Sequence, residues 1–219
     1  MAKKTKTKEV TEDQIITKYI DYVLEQEVVP KSIFKFCRTV GITESDFYQY
    51  YGSIEALRKG IWKKFYTNTE SLLLKNKEYA GFTNKDKMLA FFYSFFELLT
   101  LNRSYVLFTL HNERSLLGKL DQLKGLHKHI RSFAMTLIEE SNAHKTLKIT
   151  QHNPMLFAEG VWFEFLFILK FWLDDDSAGF EKTDMAIEKS INTIFDIFDN
   201  TPIDNIVDFG KFLFKEKMQ

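Results

Sequence analysis

The chain has 219 residues, 45% of them hydrophobic, with 22 Phe, nine Gly and three Pro. That is ample material for a buried core and too few turn formers for an all-β or loop-rich protein. Thirty basic and thirty acidic side chains cancel, which excludes a general attraction to nucleic acid or to an anionic membrane. A single cysteine, Cys37, excludes an intramolecular disulfide and a cysteine-cluster metal site; it reads as a small buried residue.

Residues 1–10, MAKKTKTKEV, carry Lys3, Lys4, Lys6 and Lys8. They read either as a flexible basic arm that follows phosphates or enters a minor groove, or as a solvated terminus. The polar, Lys-rich start shows no secretory leader, and the expected location is the cytoplasm. A first helix is predicted from Thr11 to about Glu27, with Ile15, Ile16, Tyr19, Ile20, Val23 and Leu24 along one stripe. After Pro30, the stretch Ser32–Leu57 reads as a short helix, a turn at Gly41, a second short helix and a cap opening a longer one. Ile33 and Phe36 give the first short helix its apolar face, and Phe47 and Tyr51, four apart, give the second. Thr43 is an N-cap with Asp46 in the capping-box position, and Ser53 caps the next helix. Two short helices around such a turn, followed by a longer one, are the pattern of a helix-turn-helix. The longer helix runs to about Asn76 through Leu57, Ile61, Trp62, Phe65, Leu72 and Leu73.

Residues 84–101 hold FFYSFFELL, apolar in nearly every direction, hence a helix buried on most sides. Further helices are predicted over Ser104–Arg114, Lys119–Ser141, Met155–Leu173 behind Pro154, Asp184–Asp199, and Thr201 to about Phe214, with a loop over 142–153. The total is about ten helices, an all-α chain. Its longest apolar stretch, Val161–Leu173, contains Glu164 and Lys170 and is too short to span a bilayer.

Motifs for catalysis and metal binding are not met. In DDDSAGFEKTDM, Asp174, Asp176 and Gly179 match a calcium loop, but Ala178 and Met185 stand where ligands are needed. His127 and His129 are two apart and point to nearly opposite helix faces. Glu139-Glu140 is a solvated helix face before it is a catalytic pair. No nucleophile elbow, Walker loop or dinucleotide fingerprint occurs. The expectation is a protein that is not an enzyme and holds no cofactor or metal.

The segment ITESDFYQYYGSIEAL resembles the recognition-helix signature of the tetracycline-repressor (TetR) regulators. Gly41, Ile42, Thr43, Phe47, Tyr48, Tyr50, Tyr51, Ser53, Glu55 and Leu57 occupy the matching places. The resemblance implies a basic arm over 1–10, a DNA-binding module over 11–52, and an effector-binding and dimerisation domain over 53–219. By the same resemblance, Thr43, Glu44, Ser45, Tyr48, Gln49 and Tyr50 would lie at the DNA, with Lys31 and Lys35 supplying positive charge. Gln can bond adenine, and tyrosine hydroxyls commonly bond phosphate. The chain departs from the family at Glu44 and Ser45, where a cation and Gly are usual, at Asp46, and at Ile54, where a phosphate-binding Lys is frequent. Residues 11–66 hold eight basic and eight acidic side chains, so electrostatic affinity for DNA is small.

The aromatic load of the second half suggests a ligand cavity. Phe91, Phe95, Tyr105, Phe108, Trp162 and Phe165 would line it, and Glu164 would be its polar handle; ordinary aromatic core is the alternative for each. In the resembled family the last long helices form a four-helix dimer bundle, which assigns Phe167, Phe171, Ile187, Ile191, Ile194 and Phe195 to a homodimer interface. Two functions remain. One is a dimeric regulator on a pseudo-palindromic double-stranded operator, a repressor released by a small apolar effector. The other is a binding protein for a lipid or isoprenoid-like ligand that has lost DNA binding.

Overall fold

A computed structural model describes residues 10–112, 115–143 and 152–199. Among them are nine α-helices and no strand: α1 Glu12–Gln26, α2 Ile33–Val40, α3 Glu44–Tyr48, α4 Ile54–Lys75, α5 Asn84–Leu101, α6 Arg103–Asn112, α7 Leu116–Ala143, α8 Pro154–Asp174 and α9 Glu181–Asp199. The basic arm, most of the 142–153 loop and the tenth predicted helix lie outside the described residues. The chain divides into two compact units, Met1–Phe65 with Leu98–Gly125, and Tyr66–Glu97 with Leu126–Gln219; the divisions fall within α4, α5 and α7.

In the first unit, short side chains start and stop the helices. Thr11 and Gln14 close a capping box on α1. The Ser32 hydroxyl accepts from the Lys35 N–H at the start of α2, and that of Ser53 from the Ala56 N–H at the start of α4. Helix α2 ends at Gly41 with φ +69°, a left-handed conformation that a side chain strains. One run of rings joins the elements: Tyr19 of α1 meets Tyr105 of α6 and Phe36 of α2, Phe36 meets Phe47 of α3, and Phe47 meets Tyr51. All five are buried; each side chain contributes about 1.5–3 kcal/mol by leaving water, and Phe36→Ala costs about 3–5 kcal/mol. The Tyr51 ring lies so close to α4 that a Cβ on Gly60 would sit 2.5 Å from it. Its hydroxyl donates to Glu12 at 2.9 Å, tying the end of the motif back to α1.

The second unit is built on phenylalanine. Phe92, Phe95 and Phe96 of α5 all contact Phe165 of α8, and Phe96 also contacts Trp172. Helices α8 and α9 form a hairpin in which Gly160 faces Ile194, and Phe157 meets Phe195 and Phe198. The hairpin turns through DDDSAGF, the stretch compared above with a calcium loop. Buried Asp175 accepts from the backbone and hydroxyl of both Ser177 and Thr183. Burial opposes its ionisation, but these four bonds outweigh it and hold the carboxyl well below the usual range. Gly179, at φ +63°, completes the turn.

Two stripe residues fall on the outside. Leu24 and Leu72, placed inward by spacing, are exposed, whereas their neighbours Val23 and Leu73 are buried. A stripe of adjacent apolar residues leaves open which of the pair faces in.

Candidate DNA-reading face and ligand cavity

Helix α3 owes its position to the capping box at its start. The Thr43 N–H and hydroxyl both donate to Asp46 Oδ2, at 2.9 and 2.6 Å, and the Asp46 N–H donates back to the Thr43 hydroxyl at 3.0 Å. The Thr43 side chain, then its N–H, keep the Asp46 carboxyl below its ordinary value. Thr43 and Asp46 thus use their polar groups on each other. Ser45, Tyr48, Gln49 and Tyr50 remain exposed, as do Lys31 and Lys35, while Glu44 is half-buried. The Tyr50 hydroxyl donates to the Val10 carbonyl at 3.1 Å, tying the stretch after α3 to the residue before the Thr11 cap of α1. Lys18 of α1 donates to the Val40 carbonyl at 2.7 Å, a cation on the negative end of α2.

Beside α3 lies an open groove of about 840 Å³, bordered by Glu27, Lys31, Phe34, Glu44, Tyr48 and Glu55 among others. It brings together three of the expected DNA-contacting residues, Lys31, Glu44 and Tyr48. Phe34, 56% exposed there, is absent from the sequence-based site. Its signal was available: it falls between Ile33 and Phe36, off the apolar face of α2.

The second unit holds a cavity of about 510 Å³ between α4, α5, α7 and the turn Tyr79–Gly81, floored by Leu73, Phe91, Phe133 and Leu137. Phe91 stands 4.8 Å from the Phe133 ring and 5.6 Å from Tyr66. The Tyr66 hydroxyl donates to Glu70 at 3.2 Å, and Lys87 bonds Glu140 at 2.9 Å. Burial, then the Glu70 and Glu140 carboxylates, push the Tyr79 hydroxyl up; burial and Glu70 do the same to Tyr66. Of the residues expected to line a cavity, Phe91 does so. Phe95, Phe165 and Trp162 pack on one another, Trp162 stacking on Phe165 at 5.3 Å. Tyr105 and Phe108 belong to the first unit, where Tyr105 meets Tyr19 and burial raises its hydroxyl to about 12.

Glu164 is buried on α8. Desolvation pushes its carboxyl up to about 7, against the opposing influence of the Ser190 hydroxyl on α9, which itself donates to the Ala186 carbonyl. Of the expected interface residues, Ile187, Ile191 and Ile194 are buried within the chain, Phe171 and Phe195 are half-buried, and Phe167 is 58% exposed. Phe163, at 68%, and Leu156 continue the exposed α8 face, and Phe167 and Phe171 border a groove with Met185 and Ala186 of α9. No helix among the described residues is long and apolar enough to cross a membrane.

Residues 87–213 match the family model described as the tetracyclin repressor-like C-terminal domain. No curated protein and no solved structure matches the chain. The matched stretch covers more than half of the 219 residues, begins after the helix-turn-helix and takes in the α8–α9 hairpin and the part of the cavity lining from Lys87 to Glu140, but not Tyr66, Glu70 or Tyr79. The chain belongs to the tetracycline-repressor family.

Proposed function

We propose that the protein is a homodimeric, ligand-responsive regulator that binds a pseudo-palindromic site in double-stranded DNA and is released from it by a small effector. The observation that carries this reading is the doubly capped helix-turn-helix, which leaves Ser45, Tyr48 and Gln49 exposed on and just after α3. Lys31 and Lys35 supply phosphate contacts, and Gln49 reads a base edge. The exposed Phe163 and Phe167 of α8 pair with the same face of a second copy. The effector occupies the cavity of the second unit and acts by binding one spacing of the two reading heads better than another. Residues 1–10, 11–52 and 53–219 then serve as arm, reading head, and effector-binding and dimerisation body.

The test is selection of DNA from a random pool at low salt, followed by a salt titration. Enrichment of an inverted repeat whose half-sites lie one helical turn apart supports the reading. The slope of log affinity against log salt is expected to be shallow, because α3 carries Glu44 and Asp46 and no cation.

A second reading has its own observation. The groove beside α3 is bordered by Glu27, Glu44 and Glu55 and exposes Phe34, a surface ill-suited to phosphate. On this reading the chain keeps the family's fold as a carrier of a lipid-like ligand and has lost DNA. Failure to enrich any sequence, together with an apolar molecule extracted from the purified protein, would favour it.

A further inference from the structure

We propose that the cavity of the second unit takes an organic cation with an apolar body, such as a substituted amine or quaternary ammonium, and that Glu70 is its counter-ion. The proposal deepens the effector reading and rests on it. The floor, with Phe91, Phe133 and Leu137, suits a hydrocarbon or aromatic body. The rim decides the charge. It holds Glu70, Glu140, Lys77 and Lys87, a formally balanced set whose members are unequally engaged. Lys87 is bonded to Glu140 at 2.9 Å, and its side chain is largely covered. Lys77 is exposed on the turn after α4. Glu70, exposed as well, receives the neutral Tyr66 hydroxyl rather than a lysine.

After burial, the Glu70 carboxylate raises the hydroxyls of both Tyr66 and Tyr79, and Glu140 adds to the effect on Tyr79. The carboxylate held by the Tyr66 hydroxyl attracts a poorly hydrated cation through charge, while one face of the Tyr66 ring is taken by His129, stacked at 4.8 Å. A neutral lipid uses only the floor, and an anion meets Glu70.

The experiment is calorimetric titration of the full-length protein with benzyltrimethylammonium and with its uncharged isostere neopentylbenzene. The cation is expected to bind at least about tenfold more tightly. Glu70→Gln is expected to remove most of that preference while leaving neopentylbenzene unchanged. Lys77→Glu, on an exposed turn, is expected to raise cation affinity by roughly threefold, which keeps the idea testable if the Glu70 variant folds poorly. Equal or tighter binding of neopentylbenzene overturns the charge assignment and leaves the cavity standing as an effector site. Binding of neither probe overturns both. A cation preference that survives in Glu70→Gln and does not respond to Lys77→Glu overturns the role given to these side chains.

Discussion

The helix-turn-helix and the α8–α9 hairpin are built to opposite specifications. In the motif every helix start has its cap, the apolar groups converge on Phe36 and Phe47, and the outward groups are mostly polar. It is complete within one chain. The hairpin has an equally firm turn at Asp175, yet it leaves Phe163 and Phe167 on its outer face and buries the carboxyl of Glu164. A segment of the first kind holds its own shape and presents chemistry. One of the second kind exposes apolar surface of the sort that marks an interaction site.

The largest expected effect lies on the hairpin. Phe163→Asp with Phe167→Asp puts four carboxylates into the two-fold interface proposed above, and should weaken dimerisation by about 4 kcal/mol or more. Analytical ultracentrifugation would then find monomer with unchanged helix content. If the double variant stays dimeric, the contrast drawn above is wrong.

Next comes Glu164. Its carboxyl titrates near 7 in the fold against an ordinary 4.5, so between these values the unfolded chain gives up its proton first. The contribution of Glu164 to stability should therefore be fully present below about pH 4.5 and be lost as pH rises to 7, by about 3 kcal/mol at 1.36 kcal/mol per unit. In Glu164→Gln that slope should vanish and the melting temperature at pH 8 should rise; denaturation at several pH values checks both. A flat wild-type profile would mean that the group has found a partner, which a dimer could supply.

The motif should respond more gently. Thr43→Ala opens one capping box at the cost of about 1 kcal/mol, visible as an earlier urea midpoint with the dimer intact. Smallest of all, Lys31→Ala and Lys35→Ala should leave folding within about 0.5 kcal/mol of the parent. Each should also flatten the salt dependence of DNA binding by about one unit of slope. Were these two substitutions to leave the slope untouched, the phosphate path would have to run elsewhere on the module.

Much of the first unit was legible because its determinants are local. Thr11, Ser32, Gly41, the Thr43–Asp46 pair and Ser53 act within a few residues of themselves, and sequence spacing captures that range. The expected bounds of α8 likewise differ by one residue at each end from Pro154–Asp174. The second unit resisted for a physical reason. In VWFEFLFILKFW apolar groups circle the helix, so periodicity does not separate buried Phe165 from exposed Phe163. The cavity was harder still, because Tyr66, Tyr79, Phe91 and Glu140 meet only through tertiary packing. The expected lining followed aromatic density, and that density went into the core, as the contacts of Phe95 and Phe165 illustrate.

The hydrogen bond from Tyr50 to the Val10 carbonyl spans 40 residues of chain. With the bond from Tyr51 to Glu12 it ties the stretch just after α3 to both sides of the Thr11 cap of α1. Two neighbouring phenols thus clip the far end of the motif to its first helix. Tyr50→Phe would open one clip without changing a single charge.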